Sequence, residues 1–213
     1  KGKCVYRPFR AYFRRRITSF FTIGIILALF WDGGNHMALR STERRHPLSE
    51  GLHALPGQEV LARVLRVQTD ALASLRPAIP QIELVAQAGV RALSSGGRMG
   101  YAGAGSSGLM ALADCLELPG TFGIPPDRVP MMFAGGADSL LHMQGGVEDD
   151  PELALADLEK AGLRAGDVII CLAASGSTPY TLTIARHAKS RGIAVAGFSN
   201  VADAPLLHAA DIP

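Results

Sequence analysis

The chain has 213 residues, 48% of them apolar and 19% charged, with 21 Lys and Arg against 19 Asp and Glu. That length suits one α/β domain plus an appendage, and the composition excludes both a disordered chain and a basic nucleic-acid-binding tail. The net charge of +2 averages two unlike pieces: residues 1–36 hold seven basic residues and one acid, Asp32 (+6), and residues 37–213 hold the other 14 basic and 18 acidic residues (−4).

The first piece joins Arg14-Arg15-Arg16 to an uncharged run, Ile17 to Trp31. Fifteen residues are short for a membrane span, which needs about 17–25. A basic stretch before a short apolar one also fits a signal peptide, although no A-x-A cleavage pattern follows. The chain starts at Lys1, and Met37 opens a segment of different composition. The preferred expectation is that 1–36 lies outside the native protein, with an anchor and a signal as the other readings. A membrane partner is expected only if 17–31 is native.

Residues 41–57 are polar and punctuated by Pro47, Pro56 and Gly57, as in an arm or loop. Gln58 to Arg76 is predicted helical, with Leu61, Leu65, Leu72 and Leu75 on one face and Pro77 as the stop. Pro80 opens a second helix that ends at Ser94-Ser95-Gly96-Gly97. The period then changes. Strands are predicted at Arg98–Ala102, Val129–Ala134, Val168–Ala173 and Ala194–Phe198, the third apolar throughout as a strand buried on both faces should be. Helices are predicted from the Gly103–Gly108 loop to Glu117, from Pro151 to Ala161, and from Thr178 to Arg191. One more strand begins at Asp211-Ile212-Pro213. The expected fold class is α/β, a parallel sheet covered on both faces and preceded by two helices. The expected division is an extension at 1–36, an arm and helix at 37–76, and the sheet domain at 77–213.

Cys115 and Cys171 fall in apolar segments and are expected to be reduced core residues, with no disulfide framework. The six histidines form no metal-ligand spacing, so no sequence-local metal site is expected.

Two junctions carry chemistry. Gly103-Ala-Gly105-Ser106-Ser107-Gly108 matches G-x-G-x-x-G, but no acid ends a second strand about 20 residues on, as a dinucleotide site requires. Its hydroxyls suggest a small polar ligand held by loop amides; a tight turn with a serine cap is the plainer alternative. Ser175-Gly176-Ser177-Thr178-Pro179 follows the most apolar strand and gathers three hydroxyls at a helix start, an anion site by its free amides and dipole. No Lys follows, so a phosphomonoester fits better than a nucleoside triphosphate.

Two carboxylates stand out. Glu117 is predicted in the last turn of its helix between Leu116 and Leu118, where the dipole and partial burial would keep it protonated. Glu148 lies outside the Asp150-Pro151 helix start and is placed to project from a loop. On spacing alone, a solvated surface role is the plainer reading of each.

Five segments carry a family resemblance: Tyr101-Ala-Gly-Ala-Gly-Ser-Ser-Gly108, Leu116-Glu-Leu-Pro-Gly-Thr-Phe-Gly123, Ala134-Gly-Gly136, Val147-Glu-Asp-Asp150 and Ala173-Ala-Ser-Gly-Ser-Thr-Pro-Tyr180. From about Ser41 onward the chain resembles N-acetylmuramic acid 6-phosphate etherases of the sugar isomerase (SIS) domain superfamily. The resemblance implies a SIS-type three-layer sandwich and cleavage of a lactyl ether without a cofactor. The products are N-acetylglucosamine 6-phosphate and D-lactate, in cytoplasmic cell-wall sugar recycling. It makes Glu117 the acid that assists lactate departure and Glu148 the base that removes the C2 proton. Ser175, Gly176, Ser177 and Thr178 would hold the phosphate, and Gly105, Ser106 and Ser107 the edge of the sugar or phosphate. It also implies a homodimer, for which the Leu61–Leu75 helix face is the first element to examine. Leu109 stands where these etherases usually carry Arg, and the family continues well past Pro213, so the chain alone is expected to be inactive. A sugar-phosphate isomerase and a non-catalytic sugar-phosphate sensor are the alternatives; no nucleic-acid partner is expected.

Overall fold

A computed structural model describes Thr42 and residues 44–213 apart from Met143 and Gln144. The readings made for 1–36 lie outside the described residues. Two compact units divide the chain within its first long helix, one reaching Leu65 and the other running from Arg66 to Pro213. In the first unit, short 3-10 turns at Pro47–Ser49 and Leu52–Ala54 precede helix α1, Gly57–Ala73. Arg63 pairs with Glu59 one helical turn away and donates to the Leu48 carbonyl at 3.3 Å.

The second unit is built on four parallel strands: β1, Met99–Gly103; β2, Met131–Phe133; β3, Val168–Leu172; and β4, Ala194–Phe198. The helices are α2, Ile79–Ser94; α3, Gly105–Phe122; α4, Gly136–His142; α5, Pro151–Ala161; α6, Pro179–Ser190; and α7, Pro205–Ala209. Alternation along β3 explains the layers. Ile169 and Cys171 face α5, α6 and α7 in the larger core, with Leu158, Tyr180, Ile184 and Leu206. Val168, Ile170 and Leu172 face the other way, toward α2 and α3. This is the predicted three-layer arrangement, although Ile170 and Leu172 are only half-buried.

The strand order is β2-β1-β3-β4. The chain steps one way from β1 to β2 and the other way to β3, so the topological switch lies between β1 and β3, where open α/β sheets open a crevice at their carboxyl ends. Register brings those ends level, since Gly103 pairs with both Phe133 and Leu172, and Leu172 with Phe198. Past β4, Ile212 forms a single parallel bridge to Ala196, where a further strand is expected to begin.

Most predicted boundaries hold within about two residues, the ordinary scatter of helix ends. Asp150 caps α5 by accepting from Glu152 N and Leu153 N, and Gly162 ends it with φ of 63°. Helix α1 ends earlier than Pro77, at Ala73, and a 3-10 turn at Arg76–Ala78 leads into α2. The predicted end of α3 at Glu117 is wrong. The helix continues through Pro119 to Phe122 and stops at Gly123, whose φ is 68°. Proline deletes one intrahelical bond but does not end a helix whose next turn is otherwise satisfied. Here Gly123 N bonds the Pro119 carbonyl and Ile124 N bonds that of Leu118.

Candidate functional site

Both hydroxyl-rich junctions sit where the topology opens the crevice, after β1 and after β3. Helix α3 starts tight against its own strand. A Cβ on Gly103 would lie 2.9 Å from the Gly108 Cα, and one on Gly108 would lie 2.6 Å from the Phe133 ring. That close approach brings the first turn of α3 over the end of β1, and no side chain caps it. Ser106 is exposed and Ser107 half-buried.

The Ala174–Thr178 loop is held from two sides. Ala174 N donates to Ser107 Oγ at 3.2 Å, joining the two junctions directly. On the other side, Asn200 N donates to the Ala174 carbonyl and Leu206 N to that of Gly176. Gly176 is buried with φ of 64°, and a Cβ there would lie 2.4 Å from that of Ala204. Within the loop, Ser175 Oγ accepts from Ser177 N at 3.2 Å and from Ser177 Oγ at 3.0 Å. Thr178 occupies the N-cap of α6, yet its side chain caps nothing and its hydroxyl remains available to a ligand.

Glu148 joins this edge from a 3-10 turn, Gly145–Asp149, that packs on α6. Val147 anchors the turn in the larger core. The exposed Glu148 carboxylate has one oxygen 3.9 Å from the place a Cβ on Gly105 would take, at the start of α3. A carboxylate, two uncapped helix starts and several hydroxyls thus share one edge of the sheet. Such an arrangement can hold a small anion and deprotonate a carbon beside it.

Glu117 does not reach that edge within its own chain. At 1.5 Å per residue, the twelve residues from Gly105 to Glu117 carry it about 18 Å along α3. The expectation of partial burial in a last turn also fails: Glu117 is exposed, five residues before the helix ends, and accepts from Thr121 Oγ1 at 2.8 Å. Large apolar side chains on α3 lie open around it, Leu116 at 65% and Phe122 at 69% exposure, with Leu109 and Met110 nearer the helix start.

Residues 63–200 match the SIS domain family, which is well over half of the chain. The chain belongs to the SIS domain family. Among curated relatives, it is 37% identical over 174 residues to the N-acetylmuramic acid 6-phosphate etherase of Deinococcus radiodurans, covering 82% of this chain and 57% of the relative. The etherase of Aliivibrio fischeri is 38% identical over 171 residues, covering 80% and 57%. The chain therefore spans less than two thirds of the length of these relatives. Among solved structures, phosphoheptose isomerases share the fold. That of Francisella tularensis gives a TM-score of 0.59 at 18% identity, over 75% of this chain and 87% of the other. That of Neisseria gonorrhoeae gives 0.54 at 19%, over 67% and 75%.

In this SIS domain, sequence reasoning missed the loop after β4. Ser199 Oγ donates to the Ala174 carbonyl at 3.3 Å and accepts from Val201 N at 3.0 Å. Ser199 and Asn200 thus brace the 174–178 loop. The available signal was a fourth strand followed by a hydroxyl and an amide, Phe198-Ser199-Asn200. Two cysteines behave as expected: Cys115 and Cys171 are free and buried. Burial pushes the Cys171 thiol up to about 12. Among the described residues, no three His, Cys, Asp or Glu side chains gather as a metal site, and no helix is long and apolar enough to cross a membrane.

Proposed function

We propose that this chain carries the sugar-phosphate site of an N-acetylmuramic acid 6-phosphate etherase. The observation that carries the reading is the placement of Glu148 over Gly105, beside two uncapped, hydroxyl-rich helix starts that the Ser107–Ala174 bond ties together. The similarity to curated etherases over four-fifths of the chain supports the substrate.

The phosphate is held by Ser175, Ser177, Thr178 and the amides around Gly176. Gly105, Ser106 and Ser107 line the sugar edge. Glu148 removes the C2 proton of the open-chain sugar, made acidic by the C1 aldehyde. The electron pair left at C2 forms a C2–C3 double bond as the C3–O bond breaks, and Glu117 gives a proton to the departing lactate oxygen. Water then adds at C3 and a proton returns to C2, giving N-acetylglucosamine 6-phosphate and D-lactate. The reaction belongs to cell-wall sugar recycling in the cytoplasm.

Because Glu117 lies about 18 Å along α3 from Gly105, a homodimer supplies it: each subunit places its Glu117 in the partner's site. The exposed apolar residues around Glu117 favour such a contact, which would bury them and exclude water from the acid. Leu72 on α1 and Leu75 just past its end, exposed at 69% and 49%, form a second face for association.

The test is release of D-lactate from N-acetylmuramic acid 6-phosphate by the chain carried to the length of its relatives. Glu148→Gln and Glu117→Gln are each expected to lower turnover by about 10²–10⁴. Sugar-phosphate binding without any lactate release would replace the etherase with a sensor.

A further inference from the structure

On the reading of the 174–178 loop as the phosphate subsite, the structure assigns a positioning role to Tyr180 and Asp157, which hold the first amides of α6 toward the anion. Pro179 has no N–H, so the first helical amides able to meet a phosphate are those of Tyr180 and Thr181. The Tyr180 amide is therefore only as well placed as its own side chain. That side chain is fully buried, in the same core cluster as Ala104, Ala134 and Leu158. Its hydroxyl donates to Asp157 Oδ2 at 2.6 Å, a short charge-assisted bond across the α5–α6 packing. Burial first, and then the Asp157 carboxylate, push the phenol's pKa up, so it remains a donor throughout the neutral range.

The Thr178 side chain caps nothing, and the bond from Leu206 N reaches only the Gly176 carbonyl. Asp157 is also well chosen as the anchor. Its helix, α5, begins two residues after the turn that carries Glu148. The Tyr180–Asp157 bond thus sets the anion-binding amides and the base in one register.

The fold contains a matched control. Tyr101 on β1 is also buried and donates to Asp114 on α3 at 2.6 Å, seven residues past Ser107 and away from the start of α6. The experiment is calorimetric titration of the 213-residue chain and its variants with N-acetylglucosamine 6-phosphate. Tyr180→Phe and Asp157→Ala are expected to weaken binding about tenfold, the scale of one hydrogen bond to a charged group. Asp157→Asn keeps an acceptor oxygen and is expected to restore most of the affinity. Tyr101→Phe removes the same kind of bond and leaves affinity unchanged. Equal affinity losses in Tyr180→Phe and Tyr101→Phe, or no loss in Tyr180→Phe, would reduce the pair to ordinary packing. A parent chain that binds no sugar phosphate overturns the phosphate subsite itself, and the positioning role with it.

Discussion

Replacing Asp167 by alanine would remove the acceptor for two backbone amides at once. Asp167 is 3% exposed, and its carboxylate takes Arg98 N and Arg164 N, each at 2.8 Å, fastening the entry to β1 against the loop before β3. Two donors left without a partner in a nearly buried site cost about 2–3 kcal/mol, so Asp167→Ala is expected to lower urea-unfolding stability by that amount with an unchanged slope. A loss under about 0.5 kcal/mol would show that water replaces the carboxylate. Nothing in the sequence distinguished Asp167, because its partners lie 69 positions and three positions away. Asp150 was legible, since a helix cap acts on amides two and three residues on and Pro151 marks the start. The candidate site divides in the same way. The hydroxyl loops announced themselves by composition, while the Ser107–Ala174 strut and the bracing by Ser199 depend on strand order.

At the scale of elements, β1, β3 and α6 each bury an acidic side chain that the fold keeps neutral. Burial raises the Cys171 thiol on β3 from 9.0 to about 12. Burial and a carboxylate neighbour push up the Tyr101 and Tyr180 phenols, whose ordinary value is 10.0. An acid whose folded pKa is raised contributes fully below its unfolded pKa. That contribution is lost as pH rises, because only the unfolded chain releases the proton. Stability is therefore expected to fall from about pH 9 upward through about pH 12, read as a urea midpoint lower at pH 11 than at pH 8. Replacing Cys171 by alanine should flatten the early part of that fall. A midpoint that stays level to pH 11 would contradict the burial assigned to these groups. The strands themselves were legible as short apolar runs, and α5 by its caps. The three residues of α3 beyond Pro119 were not, because a proline reads as a stop unless the closing bonds at Gly123 and Ile124 are known. Helices α4 and α7 are seven and five residues long, too short to show a period.

At the scale of the molecule, the distance along α3 decides how the chemistry is shared. Periodicity placed Glu117 on a helix and the family resemblance gave it a role, but neither said how far it stands from Glu148. With about 18 Å between Glu117 and the start of α3, an active site built from one chain holds only one of the two glutamates. In the proposed dimer the exposed Leu116 and Phe122 acquire a purpose, since a two-fold contact over α3 would bury them on both copies. The most direct measurement is D-lactate release from N-acetylmuramic acid 6-phosphate by a mixture of full-length Glu117→Gln and Glu148→Gln proteins, unfolded and refolded together. Each alone is nearly silent. In random dimers half are mixed, and each mixed dimer has one intact site of two, so about a quarter of the parent activity returns if Glu117 acts across the interface. A mixture as silent as its components, beside an active parent, would contradict the shared site.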